Sequence, residues 1–187
     1  MVANWTPVAV TLPTLSAKTG YTCKWYTASS GGSEMGGSGA SWTPGATSNA
    51  TVTAYARCTA NTYTIGYTLN GGNNPSTKPT SGTYDKDVQI SNPTKTVTVT
   101  GNVNNTGATI GAAQSKAQTF SGWTSTTLGS NAKTGTAANP TTAWSGSSTK
   151  NTYFRNLRES GTVTMVANWT PVAVTLPTLS KTGYTCK

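Results

Sequence analysis

The sequence contains no histidine and few carboxylates. Its 187 residues include only four acidic side chains: Glu34, Asp85, Asp87 and Glu159. Histidine is the commonest general base and a frequent metal ligand, and only Asp85 and Asp87 are close in sequence. The groups needed for acid–base or metal-assisted catalysis are therefore scarce. We predict that the chain is not an enzyme and that it holds no cofactor and no metal.

Large aliphatic residues are also scarce. Thr, Ser, Asn and Gly make up half of the chain, whereas Val, Ile, Leu and Phe together number 24. So few apolar residues raise the alternative of disorder. However, six Trp and eight Tyr supply much buried area per residue, and Thr is β-branched and favours strands. The composition therefore favours an ordered, mainly β protein with a thin core.

The sequence has no apolar run near the ~20 residues that a membrane-spanning helix needs, so we predict no membrane insertion. The net charge is +9, which by itself is compatible with anionic polymers as partners. The lysines are scattered singly rather than clustered. We therefore expect them to keep the protein soluble and to protect edge strands, and we expect no nucleic-acid partner.

The first 24 residues recur at the end of the chain. Met1–Lys24 reads MVANWTPVAVTLPTLSAKTGYTCK and Met165–Lys187 reads MVANWTPVAVTLPTLSKTGYTCK, which differ only by Ala17. Met165 lies 164 residues after Met1, so we expect the chain to be a window of a longer tandem array with that period. Arrays of near-identical modules usually serve reach, spacing or multivalency rather than catalysis.

A weaker internal repeat divides each period into two related units. TVTAYARCTANTYTI, residues 51–65, aligns without gaps on TVTMVANWTPVAVTL, residues 162–176. We predict a short β unit over residues 8–60 and a long β unit over residues 61–171. Residues 1–7 are then the end of a preceding long unit, and residues 172–187 the start of the next short unit.

Most of the local patterns are those of strands and turns. Thr alternates with apolar residues in segments such as TVTAYA, YTIGYTL, TVTVT and TVTMVANW, the period of a sheet with one buried face. Asn70-Gly71-Gly72 predicts a turn. We expect surface loops over residues 29–41 and 128–150, and at most one helical turn over residues 112–117.

The strand motifs resemble a known family. KTGYTCKWYT, TFSGWT, NTYTIGYTLNGG and the closing TVTAYARCT and TVTMVANWT are similar to the Listeria–Bacteroides surface repeat, also called the internalin-type B repeat. The resemblance implies small β-grasp-like modules, arranged in tandem on secreted or surface-attached bacterial proteins that are often adhesin-like. It implies no catalytic residues. The chain departs from the pattern in its insertions around residues 94–113 and 128–151, and its short unit lacks the opening hairpin.

Two cysteines stand at aromatic positions of this family pattern. Cys23 replaces the usual Phe and Cys58 the closing Trp. Two such replacements in one core would leave a cavity that lowers the stability of the fold. A disulfide would fill this cavity and cross-link the two strands. We predict a Cys23–Cys58 disulfide; the alternatives are two buried free thiols, or redox or metal chemistry. Cys186 is the Cys23 of the next repeat.

Trp42 and Trp144 are the candidates for ligand contact. Each follows a Gly/Ser/Thr-rich stretch, whereas Trp25 and Trp123 lie in the core motif. Exposed tryptophans could stack on sugars, but anchoring of the loops is the alternative that we favour for both.

These observations predict a structural role. We expect a tandem-repeat segment of a giant extracellular, cell-surface protein that forms a stalk or fibre. Its partners would be neighbouring repeats of the same chain, with lateral self-association into filaments as a further expectation. The alternative is an adhesin that recognises glycan or cell-wall polymer through Trp42 and Trp144.

The connections between units contain no Gly/Ser linker. Only Pro171 separates the closing strand of the long unit from the next short unit, and proline stiffens a connection because its φ is fixed. We therefore predict adjacent units in fixed orientation, giving a semi-rigid rod. Met165–Lys187 should then lie against the long unit as Met1–Lys24 would lie against a preceding copy.

Overall fold

The computed structural model describes residues 5–45, 51–103 and 107–187, so Met1–Asn4 of the repeated segment lie outside the described residues. Within these ranges the chain forms strands and no helix, which confirms the mainly β prediction. The strands are β1 (Val10–Thr11), β2 (Tyr21–Tyr26), β3 (Glu34–Gly36), β4 (Ser41–Trp42), β5 (Tyr55–Ala60), β6 (Thr62–Thr68), β7 (Ser81–Thr83), β8 (Asp87–Gln89), β9 (Thr96–Val99), β10 (Thr109–Ile110), β11 (Gln114–Ala117), β12 (Thr119–Thr124), β13 (Lys133–Gly135), β14 (Thr142–Ala143), β15 (Tyr153–Arg155), β16 (Thr162–Thr170) and β17 (Leu179–Ser180).

Two four-stranded sheets lie within residues 61–171. One has the order β12-β16-β6-β7 and the other β14-β13-β15-β8. In the first, β16 pairs in parallel with β6, with Val163 opposite Ile65, and antiparallel with β12, with Ala167 opposite Trp123. β16 is therefore hydrogen-bonded along both edges, although β6 ends at Thr68, more than ninety residues earlier in the chain.

The two sheets share one hydrophobic core. Successive side chains of a strand point to opposite faces, and β16 accordingly buries Val163, Met165 and Ala167 completely. Trp123 of β12 and Phe154 of β15 are also fully buried, so both sheets contribute aromatic rings to this cluster. The core compensates for its few aliphatic residues with these rings.

The short unit has a smaller core. β3-β2-β5 form a three-stranded sheet, and β1 pairs with β4. β2 and β5 are in register over six residue pairs, from Tyr21 opposite Ala60 to Tyr26 opposite Tyr55. The described large side chains buried here are Leu12 and Met35, so this unit depends on fewer apolar contacts than the long unit.

Some local predictions were wrong. Residues 114–117, expected to form at most a helical turn, form β11, which pairs with the Thr-rich β9. The predicted loop 29–41 contains β3 and reaches β4, and the predicted loop 128–150 contains β13 and β14. Pairing with distant strands, which local propensity does not reveal, determines these short elements. The turn at Asn70-Gly71 is present, with the Gly72 amide donating to the Leu69 carbonyl.

The last residues lie against the long unit. Leu179 and Ser180 of β17 pair with Ile110 and Thr109 of β10. The amide of Gly111 also donates to the carbonyl of Thr178 at 2.8 Å. The segment that follows Pro171 is thus attached to the long unit at its far end.

Leu12 and Leu176 form a matched pair that tests the short core, because both stand in the sequence Val-Thr-Leu-Pro-Thr. Leu12 is 5% exposed and Leu176 is 72% exposed. We expect Leu12→Ala to lower the free energy of unfolding of the short unit by about 2–5 kcal/mol. Leu176→Ala should change stability by less than about 0.5 kcal/mol. Urea titration of both variants measures this, and equal effects would contradict the assigned core.

Candidate functional site

The four carboxylates are dispersed over separate contacts. Glu34 pairs with Lys24 at 2.7 Å on an exposed surface, and Asp87 lies 3.5 Å from the Arg155 guanidinium. Glu159 accepts hydrogen bonds from the amide and hydroxyl of Ser130. Across residues 5–45, 51–103 and 107–187, no group of three or more His, Cys, Asp or Glu side chains is placed to hold a metal ion. In the same ranges no helix is long and apolar enough to cross a membrane.

Cys23 and Cys58 form a disulfide, as predicted. They lie directly opposite one another on β2 and β5, with their Cα atoms 4.0 Å apart. The bond joins the central strand β2 to the edge strand β5 of the short unit, where few apolar side chains are buried. Cys186 carries a free thiol.

Trp144 and Trp42, the two candidate ligand contacts, have different environments. Trp144 is 6% exposed, donates its indole N–H to the Ser147 carbonyl and packs on Phe154 with ring centroids 5.1 Å apart. This burial favours loop anchoring and leaves little of its ring for a ligand. Trp42 is partly exposed and lines an open apolar groove of about 810 Å³.

The groove runs along one face of the short unit. Its walls include the rings of Trp5, Trp25 and Trp42, and none of the described residues that line it is charged. Trp25 is held by a hydrogen bond from its indole N–H to the Pro13 carbonyl at 2.9 Å. Trp5, at one end of the groove, is 77% exposed. The groove therefore offers aromatic faces without a fixed charge.

A polar contact joins the short unit to the long unit. The Tyr21 hydroxyl donates to the Asp85 carboxylate at 2.7 Å, and the Asn156 amide donates to the same carboxylate at 3.0 Å. These hydrogen bonds, that from Tyr21 foremost, lower the pKa of Asp85, and the first of them raises the pKa of Tyr21. Asp85 has a φ of +59°, a conformation that Asp and Asn tolerate better than most residues.

Close packing accompanies this polar contact. Gly20 has a φ of +76°, and a Cβ atom there would lie 2.3 Å from the Tyr84 ring, so only glycine fits. The Thr22 hydroxyl donates to the side-chain oxygen of Asn61, and the backbone amide of Asn61 donates to the Gly20 carbonyl. We call residues 20–22 with Asn61, Tyr84 and Asp85 the first joint.

The sequence analysis did not identify the first joint. Its only signal was the recurrence of Lys-Thr-Gly-Tyr at residues 18–21 and 181–184. Gly183 repeats the positive φ of Gly20, and the Tyr184 amide donates to Lys181 as the Tyr21 amide donates to Lys18. The turn is thus encoded locally, whereas its partner across the joint comes from a distant part of the chain.

The repeated segment also contacts the long unit. Trp169 packs on Phe120 with ring centroids 5.5 Å apart, and its indole N–H donates to the Leu69 carbonyl at 3.0 Å. Its ring lies so close to Gly72 that a Cβ atom there would be 2.3 Å away. The identical residue Trp5 has no comparable contact in the described structure and is largely exposed.

No family model, no curated protein and no solved structure matches this chain. The similarity to the Listeria–Bacteroides repeat therefore depends on the sequence motifs alone. The structural features that bear on function are the first joint, the groove and the disulfide.

A thiol count tests the disulfide. In denaturant without reductant, we expect one reactive thiol per chain, that of Cys186, and three after reduction. Replacing Cys23 and Cys58 by Ser should destabilise the short unit by about 4 kcal/mol, because the bond closes a loop with a sequence separation of 35. Three reactive thiols before reduction would contradict the pairing. Cys186→Ser serves as the control and should leave stability unchanged.

The stability that the first joint contributes should depend on pH, because it includes the Asp85 carboxylate. A carboxyl whose pKa is lower in the folded state than in the unfolded state stabilises the folded state at pH values above its unfolded pKa of about 3.9. This stabilisation is lost as the pH falls through the pKa of the folded state. We expect Asp85→Asn to lower the urea midpoint at pH 7, and the difference from the parent chain to shrink towards pH 3.

Tyr21 and Tyr184 provide the control for this pH effect. Tyr21→Phe removes the hydroxyl that contacts Asp85 and should reproduce the pH-dependent loss. Tyr184→Phe changes the same residue in the repeated sequence, where the ring is 67% exposed, and should behave like the parent chain. A constant difference between Asp85→Asn and the parent from pH 7 to pH 3 would show that the Asp85 carboxylate does not stabilise the joint.

Proposed function

We propose that this chain is a structural tandem-repeat segment of an extracellular, cell-surface protein, in which it forms part of a stalk or fibre. One observation carries the proposal: different parts of a single repeated sequence form strands of the long unit and of the short unit. In the second copy, Met165–Thr170 lie in β16, at the centre of the long unit's sheet. In the first copy, Val10–Thr11 form β1 of the short unit.

A segment with these two roles suits a chain in which long and short units alternate. The residues that complete one unit lead into the next through residues 171–178, which form no strand. This connection contains Pro171 and Pro177 and no glycine, so it is stiffer than a Gly/Ser linker. The first joint supports the same proposal at the other connection, since β5 ends at Ala60 and β6 begins at Thr62. Neighbouring repeats are then the principal partners of each unit.

The remaining features agree with this role. The disulfide favours an oxidising, extracellular setting. The described carboxylates occur in separate contacts rather than in one cluster, which suits a structural protein better than an enzyme. The motifs similar to the Listeria–Bacteroides repeat point to the bacterial cell surface.

Small-angle scattering on chains of one, two and four periods tests the stalk. We expect the radius of gyration to rise almost in proportion to the number of periods. In a compact particle it would rise only as about the 0.38 power of chain length. A dependence near that lower power would contradict the stalk.

A flexible variant provides the control. Residues 171–173 of every period, which precede the equivalents of β1 and Leu12, are replaced by Gly-Ser-Gly at unchanged length, so that the connection loses Pro171. We expect this variant to show a smaller radius of gyration and a broader distribution of distances than the parent chain. Identical scattering curves would show that this connection does not stiffen the chain.

A further inference from the structure

Twelve identical residues occur twice in the described structure, with different contacts. WTPVAVTLPTLS occupies residues 5–16 and again residues 169–180; we call it the joint segment. Because the sequence is the same, any difference in burial between the copies reflects what each copy can reach. The pair therefore reports which surfaces of the segment have a partner within the repeat.

The second copy binds the long unit at its two ends. Trp169 contacts Phe120 and the Leu69 carbonyl, and the Gln118 side chain donates to the Val172 carbonyl. At the far end, β17 pairs with β10. The middle of this copy belongs to no strand, and there Leu176 is 72% exposed.

The first copy binds the short unit through its middle. Val10 and Thr11 pair with Trp42 and Ser41, and the Leu12 amide donates to the Ala40 carbonyl at 2.9 Å. At one end, Trp5 and Val8 are 77% and 74% exposed. At the other end, residues 15–16 belong to no strand.

The two sets of contacts are complementary. The ends of the segment contact the long unit in one copy, and the middle contacts the short unit in the other. One contact of the first copy falls outside the middle, the Leu15 amide to the Ser38 hydroxyl at 3.0 Å. A hydroxyl on a rotatable side chain is easily replaced as an acceptor, so this bond does not prevent the strand pairing that Leu179 makes.

We propose that the joint segment binds a long unit and the following short unit at the same time. The partner of the exposed Trp5–Val8 face is then the long unit of another copy of this repeat, through the surface formed by Phe120, Leu69 and Gly72. This inference rests on the proposed tandem arrangement, and it identifies the surface by which consecutive periods recognise each other.

The chemistry of the two surfaces supports this partner. The groove beside Trp5 is largely apolar, with no charged side chain among its described lining residues. The surface that covers Trp169 supplies a phenyl ring and a backbone acceptor. Lys95 adds a cation 5.7 Å from the Trp169 ring centroid, within the range of a cation–π attraction. An exposed tryptophan beside an apolar groove is typical of an interaction surface.

Amide hydrogen exchange on a two-period chain tests the proposal. In this chain, Trp25–Lys187 is appended after Lys187, which completes the second short unit. The Gly111 amide, bonded to Thr178, reports the contact with the long unit. The Leu176 amide, equivalent to that of Leu12, reports the contact with the short unit.

We expect the Gly111 amide to be protected in the one-period and the two-period chain. The Leu176 amide should exchange at least about tenfold more slowly in the two-period chain, as expected of an amide that gains a structural hydrogen bond. Protection of both amides in the same molecules supports simultaneous binding of the joint segment to the long unit and the short unit. Loss of Gly111 protection when Leu176 becomes protected overturns it, because the segment then binds only one unit at a time.

A matched pair of variants keeps the test decisive. In the two-period chain, Trp169→Ala should accelerate exchange at Gly111 by about tenfold or more, because the segment loses its anchor on Phe120. Trp5→Ala, the same change in the same sequence but without a preceding long unit, should leave Gly111 unchanged. Equal effects, or none from Trp169→Ala, would overturn the proposal.

A neutral glycan is the competing occupant of the groove. Chitohexaose and cellohexaose are therefore titrated into the two-period chain. If the joint segment binds both units, neither sugar should shift the resonances around Leu176. Shifts of these resonances would overturn the proposal. The proposal for the joint segment and the proposal of a stalk can fail separately. An elongated particle without protection of the Gly111 amide contradicts only the binding by the joint segment. A compact particle with both amides protected contradicts only the stalk.

Discussion

The pairing of β16 between β12 and β6 is the constraint on which the rest of the long unit depends. This strand buries Val163, Met165 and Ala167 in the shared core and, near its end at Thr170, places Trp169 against Phe120. Without it, the sheet β12-β16-β6-β7 would separate into two parts. Because β16 includes the start of the repeated sequence, the residues that complete this unit also lead into the next one.

The short unit combines a small core with close attachment to the long unit. Its first joint to the following long unit combines packing of Gly20 on Tyr84 with the hydrogen bond from Tyr21 to Asp85. Its own core is small, and the Cys23–Cys58 disulfide joins β2 to β5. A module with so little buried apolar area is stabilised by cross-linking and by attachment to a larger neighbour.

Local sequence patterns predicted the elements with strong periodicity. Alternation of Thr with apolar residues identified β6, β9 and β16, and the family motifs suggested the disulfide between β2 and β5. The pattern could not reveal that β16 and β6 run in parallel, since that pairing joins residues about a hundred positions apart. Strands of two or three residues, such as β13 and β14, are too short to show a period.

The candidate site was predicted only in part for similar reasons. Trp42 and Trp144 follow similar Gly/Ser/Thr-rich stretches, yet Trp144 is buried against Phe154 and Trp42 lines an open groove. This difference arises from tertiary packing, which composition does not encode. The first joint was missed because Tyr21 and Asp85 are 64 residues apart in the sequence and meet only in the tertiary structure.

The central claim is that consecutive units are held in one orientation by shared structure. Double electron–electron resonance between spin labels at the exposed position of Lys78 in each period of a two-period chain measures this most directly. Lys78→Cys labels equivalent sites in both long units, and the free Cys186 is replaced by Ser so that it takes no label. The account predicts a single narrow distance distribution that is unchanged by dilution. A broad distribution, like that of units joined by a flexible linker, would contradict it.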